Sequence, residues 1–274
     1  MFTLNFKNEV VEFNQPIVMG IINTTPDSFY ARSRQHNIDE ALFVAEKMLN
    51  DGATILDVGG QSTRPGSEII SIDEELKRVI PIIESIHLKF PSAFISIDTF
   101  QSTVAQQAVA AGAVMVNDVS GGNLDSEMFL TVAKLQVPYV CMHMKGNPQN
   151  MQAQAVYDDV VNEVKNYFVD KIAACNKVGL KNIIIDIGFG FAKNTDQNFT
   201  LVKNLKQFQG LQKPILLGVS RKSSIYKTLG ITVDDALNGT TVLNTIGILN
   251  GANILRVHDV KEAVEVIKLA QKFI

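Results

Sequence analysis

Acidic and amide side chains stand at the ends of three apolar segments. Asp98 closes AFISID at residues 93–98, Asn117 follows AVMV at residues 113–116, and Asp186 follows NIII at residues 182–185. A carboxylate can accept two parallel hydrogen bonds, so this set suits a flat heterocycle with an N–H and NH₂ edge. Capping of the helices that follow, metal binding and acid–base work are the other uses of such groups. No neighbouring histidine supports a tight metal site.

A second group is suited to anions. The glycine-rich segment GGQSTRPG supplies backbone amides, and the hydroxyls and cations gather at three segment ends. The members of this group are Thr63, Arg64, Ser220, Arg221, Lys222, Arg256 and His258. Such a set indicates binding of a phosphate or pyrophosphate.

Three large side chains flank these groups. Phe189, Phe191 and Met142 either belong to the hydrophobic core or sandwich an aromatic ring at the site. Sequence alone leaves both interpretations open.

These groups have to be positioned by the elements that carry them. Eight apolar segments, each followed by a helical pattern, recur roughly every 30 residues, which is typical of an α/β (β/α)₈ TIM barrel. The segments are residues 17–22, 53–58, 93–98, 113–118, 137–144, 182–188, 214–220 and 252–260. An open doubly wound sheet is the alternative, because periodicity cannot show closure. In a barrel, all the polar segment ends face one pocket.

The remaining organisation is simple. Residues 2–13 read as an N-terminal β-hairpin that caps the other mouth of the barrel, and no linker divides residues 1–274, so one domain is predicted. His36 and His87 are predicted to lie on the surface. Cys141 and Cys175 match no zinc pattern and are predicted to be reduced core thiols.

Composition excludes several classes of protein. The chain is 46% hydrophobic and 19% charged with a net charge of −3, which indicates a globular protein that binds neither nucleic acid nor an anionic membrane. No apolar stretch reaches 18 residues and the N-terminus is not that of a signal peptide, so a cytoplasmic location is expected.

Eight ordered motifs resemble those of the dihydropteroate synthase family over nearly the whole chain. They are MGIINTTPDSF from Met19, DVGGQSTRPGS from Asp57, ISIDTF from Ile95, VNDVSGG from Val116, CMHMKGNPQNMQ from Cys141, DIGFGFAK from Asp186, GVSRKS from Gly218 and RVHDV from Arg256. The resemblance implies a (β/α)₈ fold, usually a homodimer, and a transferase of folate biosynthesis that is a target of sulfonamides. That family condenses 4-aminobenzoate with (7,8-dihydropterin-6-yl)methyl diphosphate and releases pyrophosphate.

The resemblance also implies roles for individual residues. The pterin would be held by Asp98, Asn117, Asp186 and Lys222, lined by Met142 and Phe191, and stacked on by Arg256. The diphosphate would meet Asn23, Arg64, Arg256 and His258, with Asn23 near Mg²⁺, and the aminobenzoate would lie by Thr63, Ser220 and the Pro65 loop. Asp98, Asp186, Lys222 and Arg256 would be the catalytic residues. The chain departs from the family pattern where Gln61, Gln101, Ile187 and Ala192 stand.

Three other functions compete with this one. A pterin-binding methyltransferase domain shares the barrel but has no use for the Thr63–Arg64 loop or for residues 220–222. A Schiff-base aldolase would use Lys222 as its amine. A paralogue that binds pterin without turning it over would keep the ring-binding residues and lack catalysis.

Overall fold

The computed structural model describes residues 1–6, 9–24, 34–63 and 66–274, and the side chains of all of these except residues 34–36. Within these ranges the strands are β1 Phe2–Phe6, β2 Glu9–Phe13, β3 Ile17–Asn23, β4 Ile55–Gly59, β5 Phe94–Asp98, β6 Met115–Asp118, β7 Tyr139–Met142, β8 Ile183–Asp186, β9 Ile215–Leu217 and β10 Ile254–Val257. The helices are α1 Arg34–Asn50, α2 Ile72–Lys89, α3 Ser102–Ala110, α4 Met128–Leu135, α5 Val160–Lys177, α6 Thr195–Lys203, α7 Ser223–Leu229, α8 Leu237–Leu249 and α9 Val260–Ala270.

Strands β3 to β10 form a closed parallel barrel in the described chain. Their order around the barrel is β10-β3-β4-β5-β6-β7-β8-β9, and β10 pairs with both β9 and β3 to complete the closure. The predicted (β/α)₈ barrel is therefore confirmed, and the open doubly wound sheet is wrong.

The N-terminal hairpin closes one end of the barrel. Strands β1 and β2 pair antiparallel, and Leu4 and Phe6 are buried among the lowest inward-facing barrel residues. The Phe6 ring stacks on Phe94 with centroids 4.3 Å apart. The predicted capping hairpin is confirmed, so the opposite end, where the strands finish, is left to form a site.

Two layers of apolar side chains hold the barrel. Outward-facing strand residues pack under the helices in one large core, and inward-facing residues form a smaller interior cluster that includes Met19, Ile55 and Ile254. Burial of this kind contributes roughly 1.5–3 kcal/mol for each large aliphatic side chain. Cys141 and Cys175 are free and buried in the outer core, where burial raises the pKa of both thiols.

Helix boundaries differ from the sequence prediction where capping residues decide them. The sequence pattern predicts a helix near residues 199–208, whereas α6 begins at Thr195, because Asn194 and Gln197 form a capping box there. The sequence pattern also predicts a helix over residues 157–178, whereas α5 begins at Val160, because the Asp159 carboxylate accepts hydrogen bonds from the Val161 and Asn162 amides. No helix of the described chain is both long and apolar enough to cross a membrane.

Candidate active site

The period of two along each strand builds a polar layer inside the barrel mouth. Side chains alternate between the interior and the helices, so residues two apart on a strand share the interior face. The polar member stands two positions after a buried apolar one: Asp57 after Ile55, Asn117 after Met115, Asp186 after Ile184 and Arg256 after Ile254. Asp98 occupies the same face at the end of β5, two positions after Ser96.

Arg256 joins two carboxylates across this layer. Its Nε donates to Asp57 Oδ2 at 2.6 Å and its Nη2 to Asp98 Oδ2 at 2.7 Å. Asn117 Nδ2 also donates to Asp57 Oδ2, at 2.9 Å. Although burial lowers the pKa of Arg256, the two carboxylates raise it above its ordinary value, so the guanidinium keeps its charge.

The two predicted ring-binding carboxyls are buried, and burial dominates their ionisation. Burial raises the pKa of Asp98 to about 7, Arg256 opposes this rise, and Asp57 adds to it. Burial also raises the pKa of Asp186, opposed by the Lys222 cation and by the Gly188 N–H, which donates to Asp186 Oδ1 at 2.8 Å. Among the described residues, Asp98 Oδ1 is buried with no hydrogen-bond partner, which leaves it free for a ligand N–H.

Lys222 reaches the same mouth from the loop after β9. Its Nζ donates to the Phe189 carbonyl at 2.5 Å and lies 4.6 Å from the centroid of the Phe191 ring. A Cβ placed on Gly218 would lie 3.9 Å from Lys222 Nζ and 4.0 Å from Asp186 Oδ2, so the two charged groups flank this glycine. Burial lowers the pKa of Lys222 to about 8, while the Asp186 carboxylate raises it.

An apolar wall adjoins the charged layer. Met142 is buried beside Phe100, Val119 and Met144, and the half-buried Phe191 packs on this group. Phe189 instead lies in the outer core, with its ring edge-on to Phe199 at 6.3 Å. Of the two interpretations left open, Phe189 is core, and Met142 and Phe191 belong to a separate cluster at the mouth.

Ser220 and His258 form a hydrogen-bonded pair at the ends of β9 and β10. Ser220 Oγ lies 3.0 Å from His258 Nδ1 and accepts the His258 backbone N–H at 3.2 Å. The Ser220 side chain is buried, whereas His258 is exposed at the mouth. Ser220 stands two residues before Lys222 in the sequence, and His258 stands two residues after Arg256.

Arg221 lies in the same loop and is held by contacts within the protein. Its guanidinium makes a two-pronged ion pair with Asp259, with both N–O distances 2.9 Å, and donates to the carbonyls of Val233 and Asp234. The anion group was expected to include Arg221 because it lies between Ser220 and Lys222. These contacts tie the loop to the start of α9, and a role of Arg221 in anion binding stays a prediction.

The remaining predicted residues lie on the β3 and β4 side of the mouth. Asn23 ends β3, half-buried and opposite Gly59 in the strand pairing, and Thr63 is half-buried in the loop after β4. The Gln61 amide holds this loop: Nε2 donates to the carbonyls of Ser62 and Glu68, and Oε1 accepts the Ile70 N–H. Arg64 and Pro65 lie outside the described residues, as does most of the loop that follows Asn23.

Two contributors were not predicted. Asp57, named above only as the first residue of the glycine-rich motif, accepts hydrogen bonds from both Arg256 and Asn117. Lys193 is 3% exposed, and its Nζ contacts His143 Nδ1 and the carbonyls of Gly188 and Phe191. A signal was present for Asp57, because it stands two positions after an apolar strand residue just as Asn117 and Asp186 do.

Comparison with known proteins gives one consistent result. The family of pterin binding enzymes matches residues 19–258. The dihydropteroate synthase of Escherichia coli (strain K12) is 40% identical over 267 residues, covering 95% of this chain and 93% of the relative. A crystal structure of Yersinia pestis dihydropteroate synthase with a sulfonamide drug has a TM-score of 0.93 at 36% identity and covers 99% of both chains. The Xanthomonas albilineans enzyme with 4-aminobenzoic acid has a TM-score of 0.90 at 36% identity, covering 99% of this chain and 97% of that one.

Proposed function

The chain belongs to the dihydropteroate synthase family of pterin-binding enzymes, which makes it a transferase, and on that premise we propose its reaction. The proposed substrates are (7,8-dihydropterin-6-yl)methyl diphosphate and 4-aminobenzoate, and the products are 7,8-dihydropteroate and pyrophosphate. The observation that supports this most is the 2.7 Å contact of Arg256 with Asp98. It joins a group suited to an anion and a group suited to a heterocycle in one barrel mouth.

The pterin ring is proposed to bind against the polar layer. Asp98 Oδ1 and the Asp186 carboxylate accept its N–H and NH₂ groups, and Asn117 and Lys222 complete the contacts along the ring edge. Met142 and Phe191 line one face of the ring slot, and Arg256 stacks on the ring. The support for this is that the two carboxyls are buried and that Asp98 Oδ1 is unpartnered in the described structure.

The diphosphate is proposed to meet cations and donors around the same mouth. Arg256 and His258 contact it together with Arg64 and Asn23, while Thr63 and Ser220 lie beside the aminobenzoate. Arg256 serves both groups because its guanidinium already lies between the strands that carry the carboxylates.

The proposed chemistry needs no nucleophilic side chain. The bond between the pterin methylene carbon and the diphosphate oxygen breaks early, and its electron pair leaves with pyrophosphate. The ring nitrogens share the positive charge of the methylene carbon, and Asp98 and Asp186, as carboxylates, stabilise it. The amine nitrogen of 4-aminobenzoate then bonds to that carbon and releases its proton to water, so no strong base is required.

Mg²⁺ is proposed to bind together with the diphosphate. Within the described residues no three His, Cys, Asp or Glu side chains are grouped to hold a metal, so a site made wholly of protein ligands does not fit. Asn23 offers an amide oxygen at the end of β3, and Mg²⁺ commonly takes one or two protein oxygens with the rest from phosphates and water. When bound, the ion neutralises charge on the leaving pyrophosphate.

We also propose that the chain forms a homodimer through α8. Val242, Ile246 and Leu249 are 49%, 37% and 49% exposed, and their spacing places them on one face of the helix. A groove lies on each side of this face, against α9 and against α6. An apolar helix face with adjoining grooves fits a second copy of itself related by a two-fold axis.

The experiment that tests the proposed reaction is pyrophosphate release on mixing the pterin diphosphate with 4-aminobenzoate, with and without Mg²⁺. Release is expected only when both substrates are present, at one pyrophosphate for each dihydropteroate formed, and faster with Mg²⁺. A sulfonamide is expected to compete with 4-aminobenzoate. No release under either metal condition would exclude the reaction and leave a pterin-binding protein without this turnover.

A further inference from the structure

Asp57 lies at the floor of the candidate active site. It faces the barrel interior from β4, two residues after Ile55, and its side chain is fully buried. None of the roles implied by the family resemblance falls on it. Its neighbours in the interior are nevertheless the groups that the proposed function places on the pterin.

The carboxylate connects two strands that are far apart around the barrel. Asp57 Oδ2 accepts a hydrogen bond from Arg256 Nε on β10 at 2.6 Å and another from Asn117 Nδ2 on β6 at 2.9 Å. In the described chain its Oδ1 is buried with no hydrogen-bond partner. Burying a carboxylate in a barrel interior is costly, so packing alone does not account for an acid at this position.

An ionised carboxylate only accepts hydrogen bonds, and this constrains Asn117. The amide of Asn117 must turn its NH₂ group toward Asp57, which leaves its carbonyl oxygen as the acceptor for a ligand. An asparagine at position 57 could donate or accept, so the orientation of Asn117 would no longer be unique. The orientation of Arg256 is constrained in a similar way. Asp57 accepts from its Nε and Asp98 from its Nη2, and these two contacts fix the direction of the guanidinium plane.

We propose that Asp57 is a positioning residue that fixes the acceptor side of Asn117 and the plane of Arg256 toward the pterin ring. The proposal rests on the proposed function, since it assigns how that site recognises a donor-bearing heterocycle. Asp57 acts through its two partners and does not itself touch the ring.

The test compares Asp57→Asn with the wild type by calorimetric binding of 6-hydroxymethylpterin and by steady-state kinetics. The affinity is expected to fall by about 10- to 100-fold, which corresponds to about 1.4–2.8 kcal/mol. The KM for the pterin diphosphate is expected to rise while the KM for 4-aminobenzoate changes by less than about twofold, since general loosening of the barrel would raise both. Asp125→Asn is the matched control: Asp125 undergoes the same substitution but accepts a hydrogen bond from the Ser102 N–H, and it has none to Asn117 or Arg256 in the described structure, so the pterin affinity of this variant should equal that of the wild type.

The outcomes separate this inference from the proposed function. If the wild type fails to bind 6-hydroxymethylpterin, the proposed function is wrong, and the inference about Asp57, which rests on it, is wrong as well. If the wild type binds and Asp57→Asn binds within about twofold of it, or raises both KM values equally, the positioning role of Asp57 is overturned.

A measurement on the unmodified protein covers the case in which Asp57→Asn does not fold. The side-chain amide proton of Asn117 that is donated to Asp57 should exchange slowly in NMR spectra both with and without 6-hydroxymethylpterin, because Asp57 holds it throughout. If this proton exchanges faster when the pterin is bound, the NH₂ group has turned from Asp57 toward the ring, and the proposal is wrong.

Discussion

At the scale of single residues, two groups of opposite charge, Asp98 and Lys222, set the pH range in which the site carries both charges. Burial raises the pKa of Asp98 to about 7 and lowers the pKa of Lys222 to about 8. Below the first value Asp98 takes up a proton and loses its carboxylate, and above the second Lys222 loses its proton and its charge. The form with both groups charged is therefore most populated between these two values.

The first prediction follows from this pair. The kcat/KM for the pterin diphosphate should pass through a maximum between pH 7 and 8. In Lys222→Arg the alkaline decline should move up by more than one pH unit, because a guanidinium stays charged, while the maximal rate falls about tenfold from imperfect geometry. Steady-state profiles from pH 5.5 to 10 measure both. An alkaline decline left in place in Lys222→Arg would show that Lys222 does not cause it.

Much of the site could be predicted from single residues, and there are physical reasons why the rest could not. Residue type and strand position correctly brought Asp98, Asn117 and Asp186 to one end of the barrel with Arg256. The pairing of Arg221 with Asp259 was not predicted, because adjacency in sequence does not show which carboxylate a guanidinium contacts. The role proposed for Asp57 was not predicted, because the sequence does not distinguish an acidic residue that contacts a ligand from one that orients its neighbours.

At the scale of elements, the loop that follows β8 depends on one buried lysine, Lys193. Lys193 Nζ lies 3.0 Å from the Gly188 carbonyl, 2.8 Å from the Phe191 carbonyl and 2.9 Å from His143 Nδ1. The same loop presents the Phe191 ring and the Phe189 carbonyl that receives Lys222. Lys193 thereby joins the ends of β7 and β8 and holds one wall of the mouth.

The second prediction concerns Lys193→Met, which keeps the length of the side chain and removes its donors. It should lower the free energy of unfolding by about 2–4 kcal/mol, because buried carbonyls lose their partner. The KM for the pterin diphosphate should also rise, since Phe191 and Lys222 lose their support. Urea denaturation and kinetics provide the two readouts.

The control is Lys203→Met, which alters an exposed lysine on α6 and should change stability by less than about 0.5 kcal/mol. A Lys193→Met protein as stable as this control would mean that the loop does not depend on the lysine.

The contacts of Lys193 are hard to predict, because GFGFAK has the pattern of an ordinary loop and the His143 partner is 50 residues away. Helix starts were misplaced by three or four residues for the smaller reason that capping at Asn194 and Asp159 outweighed the apolar pattern.

At the scale of the whole molecule, the barrel could be predicted because its periodicity recurs eight times. Closure could not, since it depends on the pairing of β10 with β3, which are separated by nearly the whole chain. One domain over residues 1–274 stays a prediction. Association of chains is also invisible in the pattern, because α8 is apolar on both its buried and its exposed faces.

The third prediction tests the proposed homodimer. The wild type should sediment as a dimer at micromolar concentration, and Ile246→Asp should sediment as a monomer because a charge would be buried in the interface. Val169→Asp is the matched control, since Val169 is also exposed, at 49% against 37% for Ile246, but lies on α5, and this variant should remain dimeric. A monomeric wild type, or an Ile246→Asp protein that stays dimeric, contradicts an interface on α8.

The central claim is that a ring-binding set and an anion-binding set meet in one mouth of this barrel. A crystal structure with the pterin diphosphate bound, without 4-aminobenzoate to consume it, tests this most directly. We predict that the ring N–H and NH₂ edge lies within hydrogen-bond distance of Asp98 and Asp186 and that the diphosphate contacts Arg256 and His258. A ring bound away from Asp98 and Asp186, or a diphosphate directed away from Arg256, would contradict the account.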